Sequence, residues 1–212
     1  MTHTTRILDT LDAMFPDAKV ELVHRNHFEL LIAVVLSAQA TDVSVNQVTP
    51  ALFKRYPTPQ KLAKADIHDV ENIIRTIGLY HNKAKNIITL AHVLNTQHQG
   101  MVPSDRQALE ALPGVGRKTA NVVLSNAFGI PALAVDTHVA RVSVRLGFAK
   151  PGDHVLTIEK KLMRHIPEQH WQKVHHQLIF FGRYHCLARQ PRCSTCPLHD
   201  ICTYPMKTPK EA

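Results

Sequence analysis

Apolar residues along this chain recur at three- and four-residue intervals, and no run alternates for long enough to argue a sheet. The pattern predicts an all-α protein of about ten helices. Ile7, Leu8, Leu11 and Phe15 mark one side of a short amphipathic first helix. The run Leu30 to Leu36, LLIAVVL, reads as buried almost all round, in a helix over His27 to Ala38 that Asn26 is placed to cap. Asp42 is placed to cap another through Tyr56, which Pro50 kinks or splits. Pro59 opens a short helix; Asp66 caps the next, marked by Val70, Ile73 and Ile74 and ended by Gly78. Ile87, Leu90, Ala91 and Leu94 keep helical spacing between His81 and Gln97. Briefer helices are expected over Asp105–Leu112, Arg117–Phe128 and Thr137–Leu146, and Pro167 suits the first turn of a helix running towards Tyr184. The tail from Lys207 to Ala212 reads as disordered.

With 212 residues the chain can bury a full core, as one domain or two small ones, with a boundary expected near Gly129-Ile130-Pro131. No apolar run approaches the length that spans a bilayer. The opening residues lack a basic head followed by a continuous apolar stretch, so a cytoplasmic, reducing location is expected, with no membrane. A net charge of +8 points to an anionic partner, with nucleic acid the leading candidate.

All four cysteines lie in one short segment, Cys186-x6-Cys193-x2-Cys196-x5-Cys202. Disulfides suit an oxidising compartment. Zinc more commonly uses two C-x2-C knuckles, and only one is present. An iron–sulfur cluster asks for four thiolates without paired knuckles. The surrounding segment has many polar residues and few large apolar ones, so a metal centre must supply the energy that orders it.

A second motif, Leu112-Pro113-Gly114-Val115-Gly116, lies between two helical patterns. Pro113 stops the first helix, and the glycines permit dihedrals closed to other residues while leaving backbone uncovered. Val115 is expected to anchor the turn from inside. The second helix begins near Arg117, so its unpaired N–H groups face the same space as the glycine amides and form a nest for an anion such as a DNA phosphate. The same letters also describe an ordinary helix–helix turn.

The hairpin, the following Val135-Asp136-Thr137-His138-Val139 and the cysteine spacing together resemble the endonuclease III family of DNA glycosylase/AP lyases, from about residue 3 to residue 204. The resemblance implies a helix-hairpin-helix glycosylase fold: a six-helix barrel domain over 21–131, and a lobe from 1–20 and 132–212 carrying a [4Fe–4S] cluster on Cys186, Cys193, Cys196 and Cys202. It implies base excision repair on duplex DNA containing oxidised pyrimidines or abasic sites, by a monomer working on nucleoid DNA. Lys118 is then the amine that attacks C1′ and forms a Schiff base, after which β-elimination cuts the strand 3′ to the lesion. The helix start and neighbouring Arg117 both disfavour an ammonium at Lys118, and only the neutral amine is a nucleophile. Asp136 is expected both to cap its helix and to stabilise positive charge in the transition state. Gln39 fills the space left by the extruded nucleotide and Leu79 wedges in from the other side. Gly114, Gly116 and Arg117 meet the backbone, with His138, Arg183, Arg189 and Arg192 as further DNA contacts. An adenine-removing relative shares the hairpin, the aspartate and the cluster but ordinarily lacks a lysine at position 118. A non-catalytic DNA-binding module gives no reason for Lys118 and Asp136.

Overall fold

A computed structural model describes residues 2–210 of the chain. Among them no strand occurs. The helices are α1 (His3–Met14), α2 (His27–Leu36), α3 (Asp42–Arg55), α4 (Pro59–Leu62), α5 (Ile67–Ile74), α6 (Tyr80–Gln97), α7 (Arg106–Glu110), α8 (Arg117–Phe128), α9 (Thr137–Arg145), α10 (Val155–His165) and α11 (Trp171–Phe180). A 3₁₀ turn at Glu168–His170 leads into α11, and a π-helical turn at Phe181–His185 follows it.

The capping chemistry read from the sequence accounts for the starts of α2, α5 and α9. Asn26 accepts from the Glu29 N–H at 2.9 Å, and Asp66 from His68 and Asp69 at 2.8 and 3.3 Å. Three expectations need correction. Thr41, not Asp42, caps α3, its hydroxyl accepting from the Ser44 N–H at 3.1 Å; Asp42 occupies the first helical position. Pro50 does not split α3, which continues through it without the hydrogen bond that a proline cannot donate. The C-terminal tail is tied down at its start: the Lys207 ammonium donates to the carbonyls of His199 (2.8 Å) and Cys202 (2.9 Å). Glu211 and Ala212, part of the same expected tail, lie outside the described residues.

The chain forms two compact units, Glu21–Ile130 and Met1–Val20 with Pro131–Ala212. The first holds α2 to α8, of which α4 is a single turn. Leu30, Leu31, Ile32 and Leu36 of α2 are fully buried, as are Leu52, Ile74, Ile87, Leu90 and Leu94. In the second unit Ile7 and Leu11 of α1 share a core with Val139 and Val142 of α9, Ile158 and Leu162 of α10, and Val174 and Leu178 of α11. Cys186 and Cys196 border that core, so the cysteine segment is fastened to it from one side.

Candidate functional site

Within the first unit, Asp105 caps α7 by accepting from the Ala108 N–H at 2.9 Å, and Arg106 donates to Asn121 of α8. The chain then turns through residues 111–116, with Leu109, Leu112 and Val115 buried beneath it. The Val115 N–H closes the turn on the Leu112 carbonyl at 3.1 Å. Gly114 has φ +77°, and a Cβ there would stand 3.2 Å from Asn86 Cβ and 3.3 Å from Val35 Cγ1. It therefore needs to be glycine for both conformation and space. Gly116 does not share that need. Its φ of −102° is ordinary, and nothing lies within 4 Å of where a Cβ would be.

What Gly116 contributes is an uncovered helix start. It is the N-cap of α8 and offers no side-chain acceptor, and the first turn holds no acidic residue. Arg117 and Lys118 occupy the first two helical positions and both are exposed. Positive dipole, orphan amides and two cationic side chains thus converge on one open surface, which suits an anion.

Gln39 and Leu79 belong to the same unit and share an unusual backbone. Gln39 lies between α2 and α3 at φ +54°, and Leu79 immediately before α6 at φ +61°. Left-handed conformations are uncommon for residues with a side chain, and strain of that kind collects where function needs a side chain aimed outward. Both point into solvent; Leu79 is 57% exposed, against the rule for a large apolar residue.

In the second unit Asp136 is the N-cap of α9, and its Oδ1 accepts from the Val139 N–H at 2.7 Å. The carboxylate is half-buried, with one oxygen committed to the cap. His138, two residues on, is half-buried. Burial pushes its imidazole below the usual value, the Arg141 and Arg183 cations add to that, and Asp136 opposes it. Arg141 Nη2 lies 3.4 Å from His138 Nδ1. Arg183 is half-buried, while Arg189 and Arg192 are exposed on the cysteine segment.

Two arginines that the sequence reading passed over organise this unit. Arg141 donates to the carbonyls of Gly182 (2.8 Å) and Cys186 (3.2 Å). One turn on, Arg145 is buried and donates to the carbonyls of Leu187 (2.6 Å) and Ala188 (3.1 Å), and to Cys186 Sγ at 3.3 Å. Its guanidinium also stacks 4.0 Å from the centroid of the Tyr204 ring. The i, i+4 spacing of two arginines on a helix with an otherwise apolar inner face was the available signal. The π-helical turn brings Gly182 against α9 so closely that a Cβ there would meet His138 Cβ at 3.0 Å.

The four cysteines form no disulfide, and Cys186, Cys193 and Cys196 are buried. Burial pushes the Cys186 thiol up and the Cys196 thiol up to about 11, and all three other cysteines add to the effect at Cys196. The four sulfurs are thus electrostatic neighbours, and burial disfavours the thiolate at Cys186 and Cys196. Among the described residues no group of three His, Cys, Asp or Glu side chains is drawn close enough for a single ion. An all-sulfur donor set of four cysteines gathered in one segment fits an iron–sulfur group, whose positive charge would favour the thiolates.

A family model described as the HhH-GPD superfamily base excision DNA repair protein matches residues 32–168. A second, the iron–sulfur binding domain of endonuclease III, matches residues 186–202. Endonuclease III of Bacillus subtilis is 53% identical over 204 residues, covering 96% of this chain and 93% of the relative. The chain belongs to the endonuclease III family. Endonuclease III of Escherichia coli K12 is 52% identical over 201 residues, covering 95% of each chain. A solved structure of a trapped endonuclease III–DNA covalent intermediate superposes with a TM-score of 0.91 at 56% identity, covering 96% of this chain and 97% of that one. The all-α architecture and the iron–sulfur cofactor are those of the endonuclease III family. No helix among the described residues is long and apolar enough to cross a membrane.

Proposed function

We propose that this chain, a base-excision DNA glycosylase and AP lyase by family, uses Lys118 as its nucleophile and acts on oxidised pyrimidines in duplex DNA. The observation that carries the assignment is an exposed primary amine in the uncapped first turn of α8, beside the only conformationally obligatory glycine of the hairpin. Backbone amides of that turn hold a phosphate and so fix a nucleotide near the amine.

The chemistry follows from the amine. Neutral Lys118 forms a bond to C1′ as the bond from C1′ to the base breaks, its electron pair leaving with the base. Ring opening yields a Schiff base between Nζ and C1′. The iminium acidifies the C2′ proton; when a base removes it, the electrons form the C1′–C2′ enamine and then expel the 3′ phosphate. Hydrolysis frees the lysine. Asp136, held by its N-cap bond at the start of α9, supports positive charge at the sugar.

Before any of this the nucleotide must leave the stack. Gln39 occupies the space it vacates and Leu79 enters from the other side, roles that their exposure and left-handed backbones support. His138, Arg183, Arg189 and Arg192 contribute phosphate contacts. Cys186, Cys193, Cys196 and Cys202 hold the cluster, taken as [4Fe–4S], which fixes the segment bearing Arg189 and Arg192. A cytoplasmic enzyme working on nucleoid DNA completes the reading.

The test is reduction with borohydride in the presence of an abasic duplex. A covalent adduct that maps to Lys118 is expected; no adduct, or one at another amine, overturns the assignment.

A further inference from the structure

One charged group in the first unit has no counterpart in the mechanism above. Lys83 of α6 is only 5% exposed, and its ammonium has no hydrogen-bond partner. Burial pushes it below the usual lysine value. A buried charge left unpaired is costly, and removing it is generally neutral or favourable unless something else answers it.

Its position says what could answer it. Leu79, Lys83 and Asn86 are spaced four and three residues apart and so share one face of α6. Asn86 packs where the hairpin glycine Gly114 meets Val35 in the last turn of α2. At the other end of the stripe stands Leu79, exposed and left-handed. A lysine stem on a helix leans back over the preceding turn, so the Lys83 ammonium is directed to the level of Leu79 and Tyr80. That end of α6 is itself unfinished: Leu79 supplies no capping side chain, and the first turn contains no acidic residue. The carboxylate beside it, Glu71, is held by His81 at 2.8 Å and is not within hydrogen-bond reach of Lys83.

We propose that Lys83 and the open first turn of α6 form a donor site for a hydrogen-bond acceptor of the undamaged strand, at the nucleotide that Leu79 displaces. The acceptor is a phosphate oxygen or an edge atom of the base that has lost its partner. This deepens the proposed function and rests on its placement of Leu79 in the duplex. The cation is held dry until DNA arrives, and then meets its partner where water is already excluded, which makes the bond count for more than a surface contact.

The experiment uses the full-length holoenzyme and a duplex carrying a non-cleavable abasic analogue, at one fixed salt concentration. Lys83→Met keeps the stem and removes the charge. Affinity for the abasic duplex should fall at least about tenfold, the scale of a hydrogen bond to a charged group. Affinity for undamaged duplex should hold, and the melting temperature should stay level or rise. Two altered duplexes locate the acceptor, one with neutral methylphosphonates on the undamaged strand beside the lesion, the other lacking the opposite base. The variant's loss should vanish in one of them. Equal binding of abasic duplex by variant and wild type overturns the site, as does a loss that survives both alterations. A fall in melting temperature with parallel losses on both duplexes also overturns it, in favour of packing. If wild-type protein fails to form the borohydride adduct, the proposed function itself falls; if the adduct forms and Lys83→Met binds normally, only the Lys83 site does.

Discussion

The hairpin turn and the cysteine segment are both short and irregular, yet they are held by opposite means. The hairpin rests on its own apolar side chains: Leu109, Leu112 and Val115 are buried, and Gly114 is pressed against Asn86 and Val35. Between Cys186 and Cys202 Leu198 is the one fully buried residue. The segment's backbone is clamped instead, by Arg141 and Arg145 donating to the three successive carbonyls of Cys186, Leu187 and Ala188. Burial shapes the first region without help. The second is a polar loop fastened at both ends, the Thr203 N–H also donating to the Arg145 carbonyl at 2.9 Å, and its iron–sulfur group supplies the rest of the ordering energy. Damage to the hairpin should therefore appear in DNA binding, and damage to the cysteine segment in folding.

Lys118→Ala is the sharpest way to break the comparison on the hairpin side. The exposed side chain carries no packing, so the variant should fold and bind abasic duplex while forming no reducible adduct. An adduct at the normal rate would mean that another amine reacts.

On the cysteine side, Cys193→Ala should cost stability rather than chemistry alone, since one missing thiolate leaves the cluster incompletely held. Freshly isolated wild-type protein should be yellow-brown with about four irons; the variant should have fewer, and its terminal unit should melt earlier. Zinc in place of iron in the wild type would defeat the cluster assignment. A variant that keeps its melting temperature would show that the arginine clamp alone orders the segment.

Asp136→Asn separates capping from charge. Asparagine keeps an acceptor for the Val139 N–H, so the fold should survive. Base release should fall about a hundredfold, the scale of one preorganised electrostatic group. Single-turnover release at a near-normal rate would reduce Asp136 to a cap.

How much of this was legible beforehand follows the same division. Local signals were readable: the caps at Asn26, Asp66 and Asp136, the buried run in α2, the cysteine spacing and the hairpin. Contacts across long sequence separations were not. Arg141 and Arg145 look like the basic face of a surface helix until the carbonyls about forty residues on are seen to lie on them. Lys83 sits in the polar run Tyr80-His81-Asn82-Lys83, and nothing local says that it is buried. α10 escaped because His154, an unusual cap, opens it, and because Val155 and Leu156 are exposed while Ile158 and Leu162 carry the buried spacing. Gly114 and Gly116 look alike as letters, and only the dihedrals separate them.

That last pair gives the finest test of the comparison. Gly114→Ala forces a side chain into a left-handed position and against Asn86 and Val35, so it should destabilise the protein by about 1–2 kcal/mol or more. Gly116→Ala meets open space at an ordinary φ, so stability should change by less than about 0.5 kcal/mol. Its methyl group would stand instead where a phosphate approaches the start of α8. Binding should weaken by similar, roughly severalfold, factors for undamaged and abasic duplexes, because a backbone contact carries no information about the lesion. Both affinities must be measured at one salt concentration, since phosphate contacts are strongly salt-dependent. A loss confined to abasic duplex would make the turn part of the lesion pocket. Unchanged binding to both, with the fold intact, would leave Leu112-Pro113-Gly114-Val115-Gly116 as a helix–helix turn and move the phosphate site elsewhere.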